Sequence, residues 1–157
     1  MILFNHLKFA LLIVCANLLM SFSIAYLSYH YFNGALSRNA TAWSSRTEEM
    51  VVYVFLAPLL ETLVFQLYAY KLVLFLAKKI NLPNKLGDWL FVMGSGLFFS
   101  ACHNYNWPYN VSALLGGLCL NYSYLHFKKA KFHPFLSVVL IHALYNLMVF
   151  FIRNTLI

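Results

Sequence analysis

Four side chains able to do acid–base or electrophilic chemistry stand inside otherwise apolar stretches of this 157-residue chain: Glu61, His103, His142 and Asn146. Glu61 interrupts the run Val-Val-Tyr-Val-Phe-Leu-Ala-Pro-Leu-Leu-Glu-Thr-Leu-Val-Phe, Val51 to Phe65. His103 closes Phe98-Phe99-Ser100-Ala101-Cys102, with Phe99 one helical turn before it. His142 and Asn146 are four residues apart in Ile141-His-Ala-Leu-Tyr-Asn-Leu147, so a helix presents them on one face. An ionisable side chain at mid-membrane costs about 2.5–3.5 kcal/mol on insertion scales, so it needs a partner or a task. A buried carboxylate beside an imidazole acts as general base toward water. A second imidazole and a carboxamide N–H can donate to an oxyanion as it develops. The set therefore suits hydrolysis of an amide bond without a Ser or Cys nucleophile. The alternative is a polar cluster that only packs helices together.

Bringing these residues together requires helices, and the apolar runs supply them. Hydrophobic residues make up 62% of the chain and charged ones 10%, against about a quarter charged in average globular proteins. That balance excludes a soluble enzyme and a disordered tail. The basic residues gather at the ends of apolar runs (Lys78, Lys79 and Lys85; Lys128, Lys129 and Lys131) rather than on a face with stacking aromatics, which argues against nucleic acid as a partner. Five segments are candidates to span a bilayer: Phe9 to Tyr31, Val51 to Ala77, Leu90 to His103, Val111 to Phe127 and Phe135 to Ile152. The first is read as a retained helix, because its apolar part exceeds a signal-peptide core and no small-x-small site ends it. Pro58, one turn before Glu61, is expected to kink the second. Cys15, Cys102 and Cys119 are odd in number and imply no disulfide framework. Glycosylation-type triplets at Asn39, Asn110 and Asn121 carry no weight at three residues each.

The expected fold is all-α: a polytopic membrane bundle of about five transmembrane helices, one integral membrane domain over 1–157, with the polar residues meeting between helices two, three and five. Lys8, Lys78, Lys79, Lys85, Lys128, Lys129 and Lys131 fall on one side of such a bundle, and Arg38, Arg46 and Arg153 on the other. Seven against three places the N-terminus in the cytoplasm and the C-terminus outside.

These segments resemble the CAAX-prenyl-endopeptidase and bacteriocin-processing (CPBP) intramembrane proteases. That family's Glu-Glu-x-x-x-Arg motif aligns with Glu61-Thr62-Leu63-Val64-Phe65-Gln66. Its Phe-x-x-x-His motif is met by Phe99 and His103, and its His-x-x-x-Asn motif by His142 and Asn146, with a core of roughly 51–151. The resemblance implies that Glu61 and His103 activate the attacking water and that His142 and Asn146 stabilise the oxyanion. It implies no cofactor, and a peptide, lipidated or membrane-embedded protein as substrate within the cell membrane. Thr62 stands where the family has its second glutamate and Gln66 where it has arginine, so these supporting positions depart from the pattern. An inactive relative serving as a binding, immunity or assembly factor is the alternative. A zinc hydrolase would need dispersed ligands, since no His-Glu-x-x-His occurs. A serine protease built on Gly94-Ser95-Gly96 lacks a further glycine, Met93 occupying that position. Proton-coupled transport would be expected to show an internal repeat, and none is visible.

Overall fold

The computed structural model describes residues 2–31, 43–103 and 105–156, so Arg38 and the Asn39 triplet lie outside the described residues. The described chain runs up and down as five helical rods: α1 (Ile2–Tyr31), α2 (Arg46–Lys79), α3 (Asn84–Cys102), α4 (Trp107–Lys129) and α5 (Pro134–Leu156). No strand occurs among the described residues. Three rods, α1, α2 and α5, contain stretches long and apolar enough to cross a membrane by length and composition. The third helix is longer than its apolar run implied: it begins at Asn84, not Leu90, and ends at Cys102, leaving His103 just beyond it. Asn84, Lys85, Gly87 and Asp88 break the apolar run but not the helix, which starts directly after Pro83 at its N-cap and has Asp88 held by Lys129 at 2.7 Å.

The ends are set by local chemistry. Ser45 caps α2 through its hydroxyl, which accepts from the Glu48 N–H at 3.1 Å, and Glu48 and Glu49 lie in the first turn where the helix dipole favours acids. Asn106 caps α4 by accepting from the Tyr109 N–H at 3.0 Å, with Pro108 in the first turn. The short turn between α3 and α4 makes them antiparallel. Gly96 and Gly117 let these two helices close: a methyl at Gly96 would meet Leu118 at 2.7 Å, and one at Gly117 would meet Phe99 at 3.1 Å.

The core fills one end of the bundle. Val14, Phe91, Leu120, Tyr124, Phe127, Val138 and Ile141 pack there, with Phe9 edge-on to Phe127 and His6 stacked on Phe132 beside them. Large apolar residues such as Leu12, Leu19, Phe75 and Leu140 are instead exposed on the outside, 65–69% of each being uncovered. A soluble monomer rarely leaves apolar patches of that extent open. With the three long apolar helices, they make this a helical membrane protein whose outer face meets lipid.

Candidate active site

The site begins with an irregularity in α2. The rod is α-helical over Arg46–Met50, π-helical over Val51–Leu56, α-helical over Ala57–Glu61, π-helical over Thr62–Tyr68 and α-helical again over Ala69–Lys79. Inserted π turns are uncommon and often mark functional positions. Pro58 gives a cause for the first. Its ring crowds the carbonyl one turn back and it has no N–H to offer. In the widened turn the Ala57 N–H bonds the Val52 carbonyl, five residues back. The Tyr53 carbonyl then loses both donors: Ala57 is engaged elsewhere, and residue 58 is proline. Asn146 of α5 fills the gap, its Nδ2 donating to the Tyr53 oxygen at 2.7 Å. In the second π turn the Phe65 carbonyl is taken by the Ser95 hydroxyl of α3.

This bond predicts a measurable coupling. Asn146→Ala should destabilise the protein by about 1–3 kcal/mol, the cost of leaving a part-buried carbonyl unpaired. In a Pro58→Ala background, where residue 58 regains an N–H, the same change should cost less. A double-mutant cycle on unfolding in detergent reads the difference, and strict additivity would show that the proline is not why Asn146 is needed.

Glu61 sits at the junction of the α-helical turn and the second π turn, its side chain 24% exposed. Its two carboxylate oxygens face different helices. Oε1 is 3.7 Å from Nε2 of His103, and Oε2 is 3.6 Å from Nε2 of His142. Both gaps exceed hydrogen-bond length. His103 is oriented by Phe99: its Nδ1 lies 2.7 Å from the Phe99 carbonyl, and its ring stacks on the Phe99 ring at 4.2 Å. Since a carbonyl only accepts, the Nδ1 carries the proton. The Nε2 lone pair of a neutral His103 therefore points at Glu61. His142 is 6% exposed, and its Nδ1 is buried without a partner. A bare lone pair is cheaper to bury than a bare N–H, so its proton belongs on Nε2, toward Glu61.

The structure thus brings Glu61, His103 and His142 to one point, with Asn146 one turn from His142 and both lining the same cavity. That cavity measures about 730 Å³. It is not confined to helices two, three and five. Asn17 and Ser21 of α1 and Tyr109 and Ser112 of α4 also form its wall. Sequence reasoning passed over Asn17, a carboxamide within an apolar run that is 4% exposed with its Oδ1 unpartnered. It also passed over the Ser21–Tyr145 hydroxyl pair at 2.8 Å. Asn17 had a readable signal, being the same kind of misplaced polar residue as Glu61.

Thr62 and Gln66 are absent from the cavity wall. Both are fully buried. The Gln66 Nε2 donates to Asn121 Oδ1 at 2.9 Å, and Asn121 Nδ2 donates to the Val92 carbonyl at 3.0 Å. The Gln66 Oε1 and the Thr62 hydroxyl have no partner. Among the described residues no three His, Cys, Asp or Glu side chains are grouped as a metal ion would require.

A carboxylate flanked by two imidazoles, with a carboxamide at the same cavity, can deprotonate a water and stabilise a negative oxygen. A family model described as type II CAAX prenyl endopeptidase Rce1-like matches residues 43–148, which include all four of these residues. No curated protein and no solved structure matches the chain.

Proposed function

From a chain that belongs to the type II CAAX prenyl endopeptidase Rce1-like family, we propose an intramembrane endopeptidase in which Glu61 activates water against a peptide bond. The family makes it a membrane protease acting on a protein or peptide. The observation that carries the finer reading is the double approach to Glu61, 3.7 Å from one imidazole and 3.6 Å from another. Gaps of that size leave room for a bridging molecule or for closure when substrate binds, and hydrogen bonds in an unliganded site commonly tighten on binding.

Water attacks the peptide carbonyl carbon while Glu61, aided by the His103 Nε2, accepts its proton. The carbonyl oxygen becomes an oxyanion, met by the His142 Nε2–H and by the second Nδ2 proton of Asn146, the first being held by Tyr53. The C–N bond then breaks as the held proton passes to the leaving nitrogen, giving a carboxylic acid and an amine, and the acid's remaining proton moves to the amine as they depart as carboxylate and ammonium.

One observation favours a second reading. Neutral Thr62 and Gln66 stand where the family has glutamate and arginine, and Gln66 pairs instead with the Asn121 amide, so the cavity can serve a relative that binds a peptide without cutting it. Cleavage in ¹⁸O water separates the readings. Purified protein in liposomes, given membrane-anchored peptides, should release a fragment whose new carboxyl carries one ¹⁸O, with chelator present. A peptide retained intact would support binding alone. Product lost on chelation and restored by zinc would overturn metal-free catalysis.

A further inference from the structure

The cavity occupies only one half of the bundle. On α1 its lining runs from Asn17 toward the C-terminal end. On α2 it runs from Val52 to Glu61, in the N-terminal half, and on α3 it is met only by Phe99, just before His103. On α4 it stops at Leu120, and on α5 it starts at His142 and reaches Arg153. The other half is closed by the packed core, where Phe91 and Val138 are fully buried and Phe127 is 1% exposed.

Charge divides along the same line. Every lysine of the chain lies on the closed half: Lys8 early in α1, Lys71, Lys78 and Lys79 late in α2, Lys85 early in α3, Lys128 and Lys129 ending α4, and Lys131 beyond it. The open half has arginine instead, Arg46 opening α2 and Arg153 ending α5, where Arg153 pairs with Glu49 and lines the cavity. The rim is aromatic, with Tyr26, Tyr29, Trp43 and Tyr105 around it, as suits a membrane–water interface. Glu61 lies roughly 20 Å below the Arg46 end at the helical rise, within reach of that rim and on the far side of the core from the lysines.

Cytoplasmic flanks of membrane helices carry the excess of Lys and Arg. Since the lysine half is the closed one, we infer that the cavity opens away from the cytoplasm. Its substrate is then a peptide segment presented on the outer face of the membrane: an exported peptide or the outward part of a membrane protein. The location of the opening stands on structure and charge alone, whereas the fate of the peptide rests on the proposed hydrolysis.

Thiol accessibility in intact cells tests the opening without any need for activity. In a background with Cys15, Cys102 and Cys119 replaced by alanine, single cysteines are placed at Tyr105 (rim), Ala113 (within the cavity) and Lys85 (closed end). A membrane-impermeant methanethiosulfonate reagent should label Tyr105→Cys and Ala113→Cys at least tenfold faster than Lys85→Cys. Opening the cells should equalise the three. Labelling of Lys85→Cys alone in intact cells, or equal labelling of all three, overturns the inference. So does Ala113→Cys that reacts only after the cells are opened. An alkaline phosphatase fused after Ile157 gives a second readout: active enzyme agrees with α5 ending outside, and inactive enzyme at normal expression refutes it.

Discussion

Replacing Glu61 with glutamine is expected to lower the rate of peptide cleavage by about 10²–10⁴-fold, the usual contribution of a positioned general base, while the protein stays folded. The side chain keeps its length and volume, and a carboxamide can still sit between His103 and His142. What it loses is basicity. The neutral amide presents one oxygen and one NH₂ where the carboxylate presented two acceptors, so one imidazole now faces a donor. If that imidazole is His142, two N–H groups oppose each other. If it is His103, the amide donates to the Nε2 lone pair and the cavity is satisfied without a base. The second arrangement is the better one, and it leaves stability close to that of the parent. Rate and unfolding should therefore separate: single-turnover cleavage collapses while the unfolding midpoint in detergent holds. Glu61→Asp should retain part of the rate. Retraction by one methylene lengthens gaps that are already 3.6 and 3.7 Å. Equal cleavage by the glutamine variant would remove Glu61 from the chemistry altogether.

The parts of this arrangement that the sequence made legible are those written in side-chain type and spacing. Glu61, His103 and the His142–Asn146 pair stood out because a charge or imidazole in an apolar run has to be answered by something. Their order on three helices followed from the runs themselves. The π turns of α2 were not legible. Pro58 announced a distortion, but a kink and a widened turn look alike in sequence, and which forms depends on a donor from another helix. That donor is Asn146, so a residue read for its chemistry also has a backbone duty. The contribution of α1 was hidden for a different reason. Its polar residues Asn17 and Ser21 are uncharged, and only packing against α5 reveals that they face Tyr145 and the cavity rather than a neighbouring carbonyl. Asn121 was obscured by a triplet better known as a glycosylation acceptor, although a carboxamide deep in an apolar helix more often needs a hydrogen-bonding partner. The length of α3 was misjudged because hydropathy ends where the lipid ends, and a helix does not have to.

Restoring the family's arginine alone should be among the most damaging single changes in this chain. Gln66 is fully buried, and its amide is committed to Asn121, which in turn holds the Val92 carbonyl of α3. Gln66→Arg would place a permanent cation at a fully buried position whose partner is the neutral Asn121 amide. Asn121 could accept one of its five N–H groups and the Thr62 hydroxyl another, leaving the charge itself unanswered. An uncompensated buried charge costs about 3–5 kcal/mol. The expected result is low yield of folded protein and an unfolding midpoint displaced by that amount. Thr62→Glu should be harmful on its own for the mirror reason, since Thr62 is also fully buried and its hydroxyl has no partner. Together the two changes supply each other's counter-charge one helical turn apart, so the double variant should recover much of the loss. A coupling of about 2–3 kcal/mol in the cycle would be at the upper end seen for residues in contact. Additive losses would mean that the pocket around Thr62 and Gln66 has been rebuilt beyond accepting the family's pair. Recovery of the double variant has a further consequence for Glu61. The neighbouring network would then exist in two interchangeable forms, one neutral and one ionic, each bracing the same turn of α2 from behind. Cleavage rates of the parent and the double variant would then show whether the turn only has to be braced, or whether the charge behind Glu61 also sets its strength as a base.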